Sequence, residues 1–570
     1  MKFRSFIRPL AIAAGLVLVV GLVLLGRLTL NTPLYLLDRG GQGQPMALQF
    51  VPKQSTVVAS VLVRPDRLAT LWEYLAAPRL RPAVQQDQER IEQLLLANTG
   101  LSYSRDIQPW LGEEVTAALV SPDLDQDPTN GETPGYLVAL ACDDSATAQA
   151  TLELYWQNRA IAGDALTFED FSGSRMIYAR RGTGRSPLGD SPQLATVLVA
   201  NRYLLVANHP DVLRQALTAA QSTDLNLQAD RRYKTALRSL PQPRVGLLAL
   251  NLPALNQWAH PNSGATVEPV AFGTVDDQIG WGLLSWQLTR QGLVGHTALL
   301  AAQGHRLHPR SPQAEDGGAI ASYLPESLAV AAVGSDLATL GRDLKPLLSL
   351  ISVSREGADP LTQLLDKALG DGAADRLQTG IDQAYGVGLM APASATSPDW
   401  LPDWLVIAPQ SEAVSEALEA LTALTQEHGL GVGTLDLRGT PAIAWTRLSL
   451  PGRRGAAPLE VVTQVAGLQA QVDQYEVLTA SPALLEAVLH PQVQPRQPPS
   501  WWPLATEQPG SGYIHIDWPQ IQPVAQPPQW RLWSTAAQPV LKHLREITLV
   551  SSDRSESMQT GQILVQLSNQ

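Results

Sequence analysis

Residues 10–26 form an unbroken apolar run, and beyond it the chain alternates between two hydrophobic periods. Residues 57–63, 115–120 and 136–141 are short apolar runs bounded by turn-forming residues, the pattern of strands. Leu68, Leu71, Trp72 and Leu75 recur at three- and four-residue spacing and predict a helix, with Pro65 suited to its first position. A helix capped by Ser145 is predicted at 145–159, then strands at 176–179, 195–200 and 203–207. The tight Asn201-Arg202 connection makes the last two strands a hairpin. A helix from Pro210 and strands at 245–252, 283–288 and 294–300 follow.

The same order returns in the second half. Strands are predicted at 385–390 and 404–408, then a helix capped by Ser411 with Val414, Ala417, Leu418, Leu421 and Leu424 as its stripe. Residues 203–217 reappear at 475–489, with Tyr203, Pro210, Leu213 and Leu217 answered by Tyr475, Pro482, Leu485 and Leu489. Val51-Pro52-Lys53-Gln54-Ser55 is echoed by Leu324-Pro325-Glu326-Ser327, and the strand from Gly246 to Pro253 by that from Gly512 to Pro519. Strict βαβ alternation is missing, so the expected class is α+β with mainly antiparallel sheets in two homologous tandem domains.

The expected organisation is a basic cytoplasmic segment at 1–9, a transmembrane anchor at 10–30 and a spacer at 31–46. A first repeat at 47–305, a linker at 306–318 and a second repeat at 319–570 complete it. Seventeen apolar residues span roughly 25 Å as a helix, near the lower limit for a bilayer, and Leu28-Thr29-Leu30 extends them. No small-residue cleavage site follows the run, which favours an uncleaved signal anchor over a removed signal peptide. Lys2, Arg4 and Arg8 hold the N-terminus in the cytoplasm and send the rest outside, into periplasm or thylakoid lumen. The single cysteine, Cys142, rules out an intramolecular disulfide and reads as a small buried thiol. A net charge of −12, from 53 acidic and 41 basic residues, disfavours nucleic-acid binding. Arg231-Arg232 and Arg453-Arg454 read as solvated loop charges.

No catalytic, cofactor-binding or metal-ligating set emerges. His305 and His308 lack an acidic or cysteine partner at ligand spacing. Asp123, Asp125 and Asp127 alternate as in a calcium loop but lack its glycine and terminal glutamate. Adjacent carboxylates such as Asp143-Asp144 point to opposite faces of a strand. The glycine-rich stretch at 429–434 follows a helix and precedes a strand, the reverse of a dinucleotide fingerprint. Gly182-Thr183-Gly184-Arg185-Ser186 has no following lysine, and no nucleophile elbow is present. Of the 14 tryptophans, Trp501 aligns with Tyr233 of the first repeat and reads as packing. Trp518, Trp530 and Trp533 lie in a proline-rich region and are candidate ligand-binding residues.

Asn31-Thr32-Pro33-Leu34-Tyr35-Leu36-Leu37 behind the apolar run, and Phe50-Val51-Pro52-Lys53-Gln54-Ser55 before a strand, resemble an uncharacterised family of cyanobacterial membrane-anchored proteins carrying a domain of unknown function. The resemblance spans essentially the whole chain, implies a single-pass extracytoplasmic protein, and supplies no active-site residues. The expected function is a non-enzymatic binding or scaffold module, joined to the membrane through its N-terminal helix and meeting an envelope protein or polymer. Two alternatives stand beside it: a hydrophobic or carbohydrate ligand on the tryptophans of the second repeat, and a hydrolase whose site is dispersed in sequence.

Overall fold

The structure is a computed structural model that describes residues 41–567, except 42, most of 69–98 and of 336–359, and 126–132, 181–193, 260–277, 290–291, 308–316, 382, 391–401, 450–461, 491–495, 503–511 and 523–543. The predicted anchor, and the predicted helical positions Leu71, Trp72 and Leu75, lie outside the described residues. Among those described, no helix is long and apolar enough to cross a membrane. The described residues divide into two compact units, one drawn from 41–251 with 283–294 and the other from 252–282 with 295–567.

In the first unit the strands are β1 (Val57–Val61), β2 (Leu111–Ser121), β3 (Gly135–Cys142), β4 (Ala165–Phe171), β5 (Ser174–Arg180), β6 (Ala195–Val199), β7 (Tyr203–Ala207) and β8 (Gly246–Asn251). They hydrogen-bond in the order β8-β1-β2-β3-β7-β6-β5-β4, and every pairing is antiparallel. Helices α1 (Ser145–Ile161), α2 (Pro210–Gln221) and α3 (Arg231–Ser239) join them. Side chains alternate across the sheet. Leu204 and Val206 pack with Ala148 of α1 and Trp110 on one face. Tyr203 points to the other face, where Phe50 meets it edge-on at 5.4 Å, and Val212, Leu213, Ala216 and Leu217 of α2 are buried.

Strands β9 (Ile279–Thr289) and β10 (Gly292–Ala301) follow, their residues divided between the two units. The second unit contains β11 (Val330–Gly334), β12 (Tyr385–Met390), β13 (Asp403–Pro409), β14 (Gly431–Leu437), β15 (Thr440–Ser449), β16 (Val462–Val472), β17 (Tyr475–Thr479), β18 (Gly512–Asp517), β19 (Leu544–Arg554) and β20 (Met558–Leu567). Its order is β20-β19-β18-β11-β12-β13-β17-β16-β15-β14, again antiparallel throughout. Helices α4 (Pro360–Leu369), α5 (Ala373–Gly380) and α6 (Glu412–Glu427) cover the face that carries Trp404, Val406 and Trp445. The opposite face, with Leu405, Ile407 and Val477, is covered by α7 (Pro482–Leu489), by Ile320 and Leu324, and by Trp501 and Trp502. Burial on both faces explains why β13 reads as a continuous apolar run rather than an alternating one.

From β18 to β14 the second order is that of the first unit with each strand replaced by the one ten places later. Registers agree as well. Val57 faces Leu250 and Val61 faces Gly246, while Val330 faces Ile516 and Gly334 faces Gly512. Helix starts follow local chemistry: the Ser411 and Ser481 side chains accept from Val414 N and Leu484 N, with proline following Ser481. At α1 the cap is Asp144 rather than Ser145, because its carboxylate accepts from both Ala146 N and Thr147 N. Arg231 and Arg232 stand on α3, not in a loop, since Asp230 caps that helix through Tyr233 N. The glycine-rich stretch from 431 is itself strand β14.

Candidate functional site

Each unit ends its sheet in a hairpin, β4–β5 in the first and β14–β15 in the second, whose outer edge is open among the described residues. Both turn through two left-handed residues, Ser172-Gly173 (φ 52° and 75°) and Arg438-Gly439 (φ 55° and 94°), the geometry that suits strand twist. An ion pair ties each hairpin to the helix beside it. In the first unit Arg214 of α2 donates to both carboxylate oxygens of Glu169 on β4, at 2.9 and 2.6 Å, and also pairs with Asp211. In the second the charges are exchanged: Glu486 of α7 pairs with Arg438 in the turn at 3.5 Å. A cavity of about 420 Å³ lies beside α2, lined by Pro52, Leu124, Arg214, Gln215 and Leu225 among others. Its Arg214 already holds two carboxylates.

The outer strands differ in chemistry. β4 carries Glu169 and Asp170, and its Phe168 is 62 % exposed. β14 reads Gly-Val-Gly-Thr-Leu-Asp-Leu, and six of these seven residues are exposed, Val432 (39 %) and Leu435 (36 %) included. On its partner β15, Ile443 and Leu448 are exposed at 37 % and 69 %. Among the described residues β14 pairs only with β15. With Leu437 and Thr440 closing the turn, the backbone groups of Val432, Thr434 and Asp436 point away from β15. Proteins usually blunt such an edge with lysine, proline or a bulge. β14 has neither lysine nor proline. Sequence reasoning missed this edge because paired glycines at 431 and 433 masked the strand period.

Among the described residues, those singled out from sequence stand on different elements. Trp518 is half-buried at the start of a short helix, Trp518–Ile521; Trp530 and Trp533 lie outside the described residues. Trp501 is buried and stacks on His515 at 4.8 Å with a 4° interplanar angle, and Tyr233 is buried too. Cys142 is half-buried, its thiol pushed up to about 11 by burial, which makes it a poor nucleophile. His209 caps α2 by accepting from Asp211 N at 3.2 Å. Asp123 accepts from Thr133 N; Asp127, His308, the 182–186 loop and Arg453-Arg454 lie outside the described residues. Among the described residues no three His, Cys, Asp or Glu side chains gather to hold a metal.

Two buried charges organise the first unit instead. Glu114 accepts from Ala47 N at 2.8 Å, Met46 N at 3.1 Å, and the hydroxyls of Thr116 and Tyr203 at 3.2 Å. Burial raises its pKa and these four donors oppose the rise. Arg244, fully buried, donates to the carbonyls of Gly43, Leu237, Leu240 and Pro241. Gly41 N also donates to Arg244 O at 2.9 Å. A Cβ at Gly41 would stand 2.2 Å from Leu62 O and 2.7 Å from Arg244 O. Gly41→Ala is therefore expected to detach this segment and to cost about 2 kcal/mol, read as faster amide exchange in β1 and β8. Unchanged exchange would contradict the fit.

Each unit is thus an α+β layer structure, an antiparallel sheet with helices on both faces and, among the described residues, an open strand at one edge. The chain belongs to the family described as a protein of unknown function (DUF3352), whose profile matches residues 10–567. No curated protein matches the chain. Among solved structures it is similar to crystal form III of TP0453, with 10 % identity and a TM-score of 0.26 over 47 % of this chain and 84 % of that one. Crystal form I of TP0453 gives 10 % identity and a TM-score of 0.24, over 44 % and 77 %. Likeness at that level fixes neither fold nor function.

Proposed function

We propose that this protein is a non-catalytic binding module, built from two copies of one α+β unit and held outside the cytoplasm by an uncleaved apolar anchor at residues 10–30. Its binding edge is β14, which receives an extended segment of a partner as an added strand. The observation that carries this reading is the exposed apolar outer strand of the second unit, with Val432 and Leu435 on its two faces and no charge guarding its middle. Duplication is supported by the shared strand order, the matching registers, the twin left-handed turns and the charge-exchanged ion pair. Anchoring is supported by the apolar run behind Lys2, Arg4 and Arg8.

A photoactivatable residue placed at Thr434 of the full chain tests the edge in intact cells. The expected result is one discrete cross-linked adduct, lost when Val432→Lys and Leu435→Lys put cations along the strand. No adduct above the mass of the chain, or an adduct indifferent to the two lysines, would remove β14 as the binding edge.

A further inference from the structure

Helix α3 presents a basic face that its own stability does not explain. Arg231, Lys234 and Arg238 recur at three and four positions, so they share one side of the helix, and all three are exposed. None has an ion pair among the described residues. Tyr233, Ala236 and Leu237 form the opposite, buried face. Arg238, in the last turn, suits the helix dipole, but Arg231 stands in the first turn, where a cation is unfavourable. Residues 221–244 hold five arginines and lysines against Asp224 and Asp230, within a chain of net charge −12. Asp230 is engaged as the helix cap, accepting from Tyr233 N at 2.9 Å.

The position of this helix relative to the N-terminal segment gives the face a direction. The Arg244 guanidinium bonds Leu237 O and Leu240 O, at the end of α3, and Gly43 O, where the chain enters the unit. One side chain thus ties the end of α3 to the chain arriving from the apolar run. Eleven peptide links separate Leu30 from Gly41, a reach of at most about 40 Å.

We propose that the basic face of α3 docks the first unit onto anionic lipid headgroups of the leaflet from which the chain emerges. This rests on the tether proposed above. The overall acidity of the chain does not oppose it, because at physiological salt charges beyond about 8 Å are largely screened and only the contacting face is felt. Each lysine or arginine at an anionic surface favours contact by roughly fivefold. Three together give on the order of a hundredfold. A tethered unit needs no more, since docking is intramolecular.

The test uses the full chain with Cys142→Ala and with Thr235→Cys carrying an environment-sensitive fluorophore. The protein is reconstituted into vesicles of phosphatidylcholine, alone or mixed with phosphatidylglycerol, with nitroxide-headgroup lipids as quenchers. Strong quenching is expected only in the phosphatidylglycerol vesicles. It should disappear in Arg231→Gln/Lys234→Gln/Arg238→Gln and at roughly 0.5 M salt, where screening tightens to about 4 Å. Flotation with the vesicles reads the tether separately. Protein that floats but is quenched equally in both vesicle types, or that keeps its quenching in the triple variant, overturns the docking alone. Protein that does not float overturns tether and docking together.

Discussion

Replacing Arg244 with methionine is expected to destabilise the first unit by about 4 kcal/mol. The side chain is fully buried, and among the described residues no carboxylate pairs with it; it donates to four main-chain carbonyls. Two of these, Leu237 O and Leu240 O, belong to the last turn and cap of α3, where helical carbonyls lack the usual i+4 donor; Leu237 O also accepts from Leu240 N at a long 3.4 Å. The guanidinium gives each of them a short 2.7 Å bond and places a cation at the helix C-terminus. Burial lowers its pKa, an indication of the desolvation that these bonds must offset. Methionine fills similar space but removes the donor from all four carbonyls; the two in buried bonds, Leu237 O and Leu240 O, lose most, at about 1–3 kcal/mol each. Arg244→Lys should fall in between, because one ammonium cannot reach across the same set. Hydrogen exchange in α3 and β8 is the direct readout. Protection in Arg244→Met equal to that of the parent chain would refute the role assigned to this residue.

The second unit should lose stability as pH falls from about 6.5 to about 4. His515 is 4 % exposed, stacked on Trp501, and its Nδ1 shares a hydrogen bond with the Thr548 hydroxyl at 3.1 Å. Desolvation pushes its pKa down to about 4, with Asp517 opposing the shift. The unfolded chain, with an ordinary histidine, therefore binds more protons than the folded one across this window. Stability rises with pH there and is flat, for this group, below and above it. The full span corresponds to roughly 3 kcal/mol. Burial raises the pKa values of Asp366 and Glu546, and these carboxyls contribute with the opposite sign. Comparison with His515→Phe cancels them: the parent chain should show the slope in β18 exchange and the variant should not. Equal slopes would mean that His515 is not the group responsible.

Most of the strand order was legible because period and punctuation agree in this sequence. β7 and α2, or β17 and α7, each combine an aromatic-led apolar run with a polar cap and a proline at the first helical turn. Those signals are local, and the chain folds as they direct. The pattern assigns no range to β4 in the first unit, nor to β11, β14, β15, β16, β19 and β20 in the second; of these β4 and β14 are the outermost strands of the hairpins. An edge strand buries little, so its apolar positions need not keep a clean alternation. In β14 two glycines remove the side chains that would have shown the period, and in β4 Glu169 takes an inward position only because Arg214 meets it. Arg244 was invisible for a different reason. A buried arginine bonded to carbonyls leaves no complementary acid in the sequence to point at it. The glycines at 41 and 43, read as spacer punctuation, are positions of close approach to Leu62, Gln242 and Arg244. The basic face of α3 was likewise hidden, since Arg231 becomes part of a helical stripe only once Lys234 and Arg238 are placed on the same side of the helix.

The direct test of a tethered extracytoplasmic module is the fate of the chain in the cell. Membranes washed with carbonate should retain the protein at its full mass of 61.4 kDa. Protease admitted only to the non-cytoplasmic side should then degrade the two units and spare the short N-terminal segment. A protein recovered in the soluble fraction without its first 30 or so residues, or one protected from that protease while being cut from the cytoplasmic side, would contradict the account.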